Sequence, residues 1–468
     1  MNSTSNNNQT LLLPEPPFES FTYPFFDLSP SVDGTKLVEA YLNSTPSSSR
    51  ENAAIYVHIP FCDTICKFCP FVKSVGTADR IEAYLAALFK HIEMASLYPW
   101  SQRQVFRSVY IGGGTPSVLS IEQIENLTSR LRESFSIAQN AEWSIEVEAK
   151  SSPTDKLKGI RDLGYSRVSF GLQTFNHEIR ERFNLTANRH QIDQLISDLS
   201  ELFPKNNCDL IVGFPGQSLD SSLEDVEILD KSGIGSVSVY PLDYTMIAPN
   251  IHSSMSKGEL PPPPSYREQM DNFFAVRQLL KTKFREDNIY SYGKGSAEAC
   301  KFMFEHVYGS YYNTYLGLGC SSYSNFKGLM FQNQCSEQQY VNSIMNGELP
   351  IQAASAYNAY EKRLVFFPKH LSYDLGEYRS LGLNHIYDQK LDTLEQFGYV
   401  KIDRNSMKLT TKGELDYAGI MVYLFSDLQH RLYNRICKKL PSYSPTQLKK
   451  ARPRQSKLYG TKLAMVPQ

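Results

Sequence analysis

His58-Ile-Pro-Phe-Cys62-Asp-Thr-Ile-Cys66-Lys-Phe-Cys69 follows directly on the apolar run at residues 54–59 and crowds three cysteines into eight positions. The run reads as a strand, so the cysteines fall in one tight loop just after it. Their CxxxCxxC spacing suits a cubane iron-sulfur cluster. Electron-carrying 4Fe-4S proteins use four cysteines. Three protein ligands leave one iron open, and an open coordination position marks a reactive site. S-adenosylmethionine can chelate such an iron through its amino and carboxylate groups. Reductive cleavage of its sulfonium then releases a deoxyadenosyl radical. Zinc is the competing reading. It needs a fourth ligand, and the candidate, His58, stands in an apolar strand where a structural role is the simpler account.

Working outward from this loop, β-rich runs alternate with amphipathic stretches. Strands are expected at 54–59, 108–111, 143–148, 167–170, 209–212 and 236–240, with helices at 80–97, 121–135, 153–163, 190–202 and 221–231. This alternation predicts an α/β fold with a parallel sheet, and Gly-rich turns stand at several strand ends, where such folds place ligands. Four prolines at 261–264 form an extended connector ahead of a helix over 267–283. Beyond about Gly328 the pattern changes to helices, then Gly-Tyr-Val-Lys-Ile at 398–402 and Leu-Thr-Thr-Lys-Gly at 409–413, which suggests a small helical domain with a two-stranded wing. The expected division is an N-terminal extension at 1–50, a main domain at 51–328, a small domain at 329–430 and a basic, solvated tail at 431–468. The extension is rich in Ser, Asn and Pro. Its aromatic patch, Phe18, Phe21, Tyr23, Phe25 and Phe26, is expected to cover the main domain.

Composition excludes several classes. Lys+Arg 48 against Asp+Glu 49 leaves a net charge of -1, so nothing attracts nucleic acid as a bulk property. The apolar runs fall short of the roughly 20 residues of a membrane span. Leu11–Leu13 lacks a preceding basic segment and is cut by Pro14, unlike a secretory signal. Eight cysteines in 468 residues, three of them clustered, point to a metal site in a reducing compartment, with the cytoplasm as the default. Cys208, Cys300, Cys320, Cys335 and Cys437 are scattered and read as small hydrophobes.

Further motifs follow in order: Tyr56-Val-His-Ile-Pro-Phe-Cys62, Tyr110-Ile-Gly-Gly-Gly-Thr-Pro-Ser117, Ile145-Glu-Val-Glu148, Ser169-Phe-Gly-Leu-Gln173, Asp209-Leu-Ile-Val-Gly213-Phe-Pro-Gly-Gln217 and Leu316-Gly-Leu-Gly319. With them the sequence resembles the radical S-adenosylmethionine (SAM) superfamily, and within it the coproporphyrinogen III dehydrogenase-like group, which also holds heme chaperones and certain methyltransferases. The resemblance implies a partial six-stranded (β/α) barrel, with Cys62, Cys66 and Cys69 holding a 4Fe-4S cluster and one or two SAM molecules bound. It implies SAM contacts from Tyr56, from Phe68 on the adenine, and from Gly113, Gly114 and Thr115 beside the methionine part. It adds Glu146 on a polar group, Gln173 toward the ribose, Asp209 near the cofactor and the turn at Gly213 by the adenine. No catalytic residue is assigned beyond the cluster.

The chain departs from these relatives at informative places. The dehydrogenase pattern has another cysteine two positions after the last ligand, where this chain has Phe71, an apolar residue as in heme chaperones and some methyltransferases of the group, which speaks against coproporphyrinogen oxidation. Relatives carry an Arg about twelve residues after the glutamine, and here Arg189 is expected to take that role through a short insertion. Heme chaperones have His-Asn-x-x-Tyr-Trp ahead of Leu-Gly-Leu-Gly. This chain reads Tyr311-Tyr312-Asn313-Thr314-Tyr315, with His306 out of register. Cys320-Ser-Ser-Tyr-Ser324 looks most like the methyltransferases and cyclopropane-forming enzymes that hold two SAM molecules. The leading expectation is therefore C-methylation or cyclopropanation of an unsaturated or heteroaromatic small molecule with a second SAM. The alternatives are oxygen-independent coproporphyrinogen III oxidation and heme delivery by a chaperone. A reducing partner such as flavodoxin or ferredoxin is implied, and neither nucleic acid nor membrane.

Overall fold

The structure is a computed structural model, and it describes residues 13–16, 23–26, 33–44, 52–245, 247–295, 299–309, 313–380 and 384–438. Six parallel strands lie side by side in chain order: β1 (Asn52–Ile59), β2 (Phe106–Gly113), β3 (Ile137–Val147), β4 (Arg167–Gln173), β5 (Lys205–Val212) and β6 (Ser236–Pro241). All six expected strands are present, because a parallel strand covered on both faces must be apolar along its length; β3 and β5 begin six and four residues earlier than expected, and the early part of β3 is exposed or half-buried. In β1, seven of eight residues are buried.

Helices α1 (Ala78–Ser96), α2 (Ile121–Ser134), α3 (Thr154–Asp162), α4 (Arg189–Leu202) and α5 (Leu219–Lys231) make the crossovers. A sixth, α6 (Tyr266–Lys283), follows the prolines. Capping boxes start three of them, Ser120 with Gln123, Asn188 with Gln191 and Ser265 with Glu268. Each satisfies two backbone N–H groups that the first turn leaves free, which is why the helices begin where they do.

The sheet is larger than six strands. β7 (Asn313–Leu318) pairs in parallel with the outer side of β1, from Asn52↔Asn313 to Val57↔Leu318. Beyond it β8 (Tyr323–Phe326), β9 (Leu329–Asn333) and β10 (Ile351–Ala356) add antiparallel, and two short strands extend the other edge past β6. The hydrogen-bonded order has two free edges, so the sheet is open. The expected division near Gly328 falls inside the β8–β9 hairpin, where Phe326 pairs with Leu329. One continuous hydrogen-bonded sheet thus runs on to Ala356.

After it comes a mainly helical region with a small sheet of three strands, Ser372–Asp374 beside Ser406–Leu409 beside Val400–Ile402. The expected wing supplies one of these, at 398–402; the run expected at 409–413 meets Ser406–Leu409 only at Leu409 and goes on into the helix Thr411–Leu415, because Thr410 caps that helix. Ser372–Asp374 is too short to show a pattern. Arg277 of α6, fully buried, joins this region to the main sheet by pairing with Glu286 at 2.9 Å and Glu414 at 3.0 Å. Of the aromatic extension, Tyr23 stacks on Phe425 and Phe25 meets it edge-on in the helical region, while Phe26 stacks on Tyr323 of β8. The patch therefore bridges two parts of the fold. The extension also forms a helix, Gly34–Leu42, whose Tyr41 stacks on Phe326. Phe18, Phe21 and the tail beyond Lys438 lie outside the described residues. Among the described residues no helix is long and apolar enough to cross a membrane.

Candidate active site

All six parallel strands end at one cavity. It is lined by Cys62, Cys66 and Cys69 after β1, by Gly113, Gly114 and Thr115 after β2, and by Glu146 and Glu148 at β3. Gln173 at β4, Asp209 and Ile211 at β5, and Leu242 and Asp243 after β6 complete it. Carboxyl ends of parallel strands are where such sheets gather ligand groups, since successive crossovers bring their loops to the same side.

The cysteine loop is fastened at several points. Ser74 N donates to Pro60 O at 2.8 Å, Asn184 Nδ2 to Ile65 O at 2.8 Å, Lys67 N to Phe183 O at 3.1 Å and Ala248 N to Lys67 O at 2.6 Å. The glycine turn is stitched against it, with Gly114 N donating to Ile59 O at 2.8 Å and Thr115 N to Phe61 O at 2.7 Å. Gly114 has to be glycine. A Cβ there would stand 2.6 Å from Phe61 O and 3.0 Å from Cys62 Sγ. Gly113 adopts φ +120 over the His58 ring, which a Cβ would meet at 2.8 Å. His58 itself bonds Tyr56 Oη at 2.9 Å and Val72 O at 3.2 Å, and burial lowers it to about 4. A neutral, doubly engaged imidazole under the loop is a support, as expected from its place in the strand.

The site is acidic. Burial pushes Glu146 up to about 8 against hydrogen bonds from Tyr110 Oη at 2.7 Å and Gly113 N at 3.1 Å. Burial also raises Asp209 to about 7, where Asn207 Nδ2 donates to it at 2.8 Å, and Asp243 to about 6. Asp243 Oδ1 accepts from Thr245 N and Oγ1, while its Oδ2 is buried without a protein partner, as is Gln173 Oε1. Unpaired buried acceptors on a cavity wall are costly unless a ligand supplies the donors. Gln173 is also held at φ +72, a strained backbone for a non-glycine residue.

Of the residues expected at the site, ten face this cavity: Cys62, Cys66, Cys69, Phe68, Gly113, Gly114, Thr115, Glu146, Gln173 and Asp209. Three do not. Tyr56 is buried outside the lining, stacked on Tyr110 and Phe302 and bonded to His58. Gly213 lies outside the lining, its carbonyl accepting from Tyr244 Oη. Arg189 opens α4 on the outer surface, paired with Asp193 at 2.8 Å one helical turn on. The arginine that does face the cavity is Arg180, seven residues after Gln173. Its guanidinium donates to Leu172 O and Thr174 O at 2.9 Å and Ala187 O at 2.8 Å. Asp243 and Lys73 were also missed. An acid directly after a strand end was the available signal for Asp243. Nothing local marked Lys73 or Arg180. His306, the out-of-register histidine, bonds Thr314 O at 2.9 Å and lies outside the lining.

The donor set fits an iron-sulfur cluster. Burial raises Cys62 and Cys66 to about 12, and the neighbouring thiols add to it, so the empty protein holds them protonated. Thiolate ligation to iron reverses this, and loading releases protons. Among the described residues no group of three His, Cys, Asp or Glu converges as the ligands of a single ion would. Cys62, Cys66 and Cys69 all line the same cavity and none is in a disulfide.

These features define a radical SAM domain, and residues 56–229 match the family model described as the Radical SAM superfamily. The chain is a radical SAM enzyme, with a 4Fe-4S cluster and SAM as its cofactors. It is similar to the anaerobilin synthase of Escherichia coli O157:H7, 32% identical over 206 residues, a stretch covering 43% of this chain but only 45% of that protein. It is similar to the heme chaperone HemW of Lactococcus lactis, 27% identical over 62% of this chain and 73% of the relative. It is also similar to the oxygen-independent coproporphyrinogen III oxidase of Pseudomonas aeruginosa, 25% identical over 387 residues, 77% of this chain and 83% of the relative. The fold is that of the solved coproporphyrinogen III oxidase (HemN) from Escherichia coli, with a TM-score of 0.72 at 23% identity over 86% of this chain and 96% of that one.

Proposed function

We propose that this enzyme acts on a tetrapyrrole, and that its reaction is the oxygen-independent oxidation of coproporphyrinogen III. The observation that carries the reading is the cavity at the six strand ends, lined by three cysteines, inside a fold shared over 86% of this chain with a coproporphyrinogen oxidase. The names of the relatives support it, since anaerobilin, heme and coproporphyrinogen are all tetrapyrroles. They favour oxidation over methyl transfer or cyclopropanation, the reactions that Cys320–Ser324 suggested. That segment supports the fold instead. Cys320 is buried, with Tyr84 Oη accepting from its N–H and its thiol donating to Cys335 O.

On this reading Cys62, Cys66 and Cys69 hold the cluster, which when bound supplies the electron that cleaves SAM, drawn from a partner such as flavodoxin or ferredoxin. The chain's own residues do the rest. Glu146, Asp209 and Asp243 offer carboxyl oxygens to the cationic and donor groups of SAM, and Gln173 Oε1 accepts from a hydroxyl or amine. Gly113 and Gly114 let the backbone close on the ligand. Arg180 fixes the loop from Leu172 to Ala187, and Phe68, packed on Phe214, gives an apolar face. Incubating the reconstituted protein anaerobically with dithionite, SAM and coproporphyrinogen III tests the proposal. Deoxyadenosine with carbon dioxide is expected. Deoxyadenosine with S-adenosylhomocysteine and a methylated product, or untouched coproporphyrinogen, overturns it.

A further inference from the structure

The cavity poses a charge problem for an anionic substrate. Its wall carries four carboxyls, Glu146, Glu148, Asp209 and Asp243, besides the three thiols. With Glu146 held protonated and Asp209 raised to about 7 by burial, the wall offers a substrate carboxylate no compensating charge of its own, so its acid group has to be met by a cation. Among the described lining residues the cations are Arg180 and Lys73. Arg180 spends three of its five donors on the carbonyls of Leu172, Thr174 and Ala187, and those bonds hold its guanidinium against its own loop.

Lys73 is different. Its backbone is anchored where the cysteine loop returns, since the neighbouring Ser74 pairs with Phe61 and its N–H donates to Pro60 O. Its side chain bends back so that Nζ donates to Cys69 O at 2.6 Å. An ammonium has three donors, so two remain. Fixed at both ends, the charge is presented on the rim of the cavity beside Pro70 and Phe71, an apolar surface next to a cation. Phe71 stands where the dehydrogenase pattern has a cysteine.

We infer that Lys73 anchors a carboxylate of the substrate at the cysteine-loop rim, with Phe71 as the apolar surface under the adjoining ring. The inference rests on the tetrapyrrole reading, because it is the propionate arms of coproporphyrinogen that need such an anchor. A plain structural role, clamping Cys69 O, is the competing account. The two differ in what they make of the substrate's charge.

The test uses the full chain with its cluster reconstituted and two fluorescent probes, coproporphyrin III and its tetramethyl ester, which lacks the carboxylates. Lys73→Met is expected to weaken coproporphyrin III binding about ten- to hundredfold, the loss of one charge-assisted hydrogen bond. Ester binding stays the same in both proteins, Lys73→Arg restores the acid, and S-adenosylhomocysteine binding does not move. Equal weakening of acid and ester, or loss of S-adenosylhomocysteine binding along with the acid, overturns the anchor and leaves Lys73 as a clamp or a cofactor contact. If the wild type binds coproporphyrin III and Lys73→Met binds it as tightly, the anchor alone falls. If the wild type ignores coproporphyrin III, the tetrapyrrole reading falls and the anchor with it.

Discussion

Replacing Gly114 by Ala probes how tightly the glycine turn and the cysteine loop are fitted. The new Cβ would stand 2.6 Å from Phe61 O, which must recede by about 0.8 Å to reach the 3.4 Å at which ordinary contact begins. Cys62 Sγ, 3.0 Å from the same Cβ, must move as well. Neither is the far end of a flexible side chain. Phe61 O accepts from Thr115 N at 2.7 Å, and a shift of that size takes the bond beyond hydrogen-bonding range. One lost hydrogen bond and local overpacking together cost about 2–4 kcal/mol if the loop stays in place. The loop has a cheaper escape, swinging outward, and that carries Cys62 away from Cys66 and Cys69. The expected result is a small loss of stability in the empty protein with a large loss of iron. Iron and sulfide per chain after anaerobic reconstitution measure the second, and thermal unfolding of the empty protein the first. Gly258→Ala, where the Cβ meets nothing within 4 Å but φ is +76, controls for backbone strain alone: it should lose stability and keep its iron. Gly114→Ala protein with the wild-type iron content and deoxyadenosine yield would refute the reasoning.

Serine at Cys62, Cys66 or Cys69 is expected to reduce iron from about four per chain to near none, while Cys437→Ser leaves it unchanged. Elemental analysis decides between them. Glu146, raised by burial to about 8 from an unfolded value of 4.5, keeps its proton in the folded protein across that interval. Its contribution makes unfolding easier as pH rises through the interval, so wild-type melting should fall toward pH 8 more steeply than that of Glu146→Gln. Parallel melting curves across that range read the difference, and identical slopes would remove Glu146 from the account. Arg180→Ala strips the partners from three carbonyls and should cost about 2–5 kcal/mol in denaturant unfolding. Arg189→Ala loses an exposed pair and should cost no more than about 1 kcal/mol. A larger effect from Arg189 would mean the structure has the two roles reversed.

Much of the fold was legible because its signals are local. A strand covered on both faces has to be apolar along its length, and a helix has to satisfy its first N–H groups. The expected strand at 236–240 and helix at 221–231 therefore sit within two residues of Ser236–Pro241 and Leu219–Lys231. The seventh parallel strand was not legible. Asn313–Leu318 looks like any short apolar run, and only its pairing with β1 reveals that the sheet continues through Gly328 to Ala356. The three-residue strand Ser372–Asp374 was invisible for lack of length.

The sequence by itself determined the chemistry of the cysteine loop. Three cysteines within eight residues bring three thiols into one short loop, because the covalent chain allows them no great separation. Only the tertiary structure decided which distant side chains join them. Arg189 stands nearer the expected spacing from Gln173, yet as the first residue of α4 it is turned outward to Asp193. Arg180 faces inward from the short helix His177–Arg182. Which arginine reaches a cavity depends on helix phase and on the packing of the loop it stands on. Asp243 and Lys73 enter for the same reason, since their place beside the cysteines is set by the convergence of six strand ends rather than by any spacing along the chain.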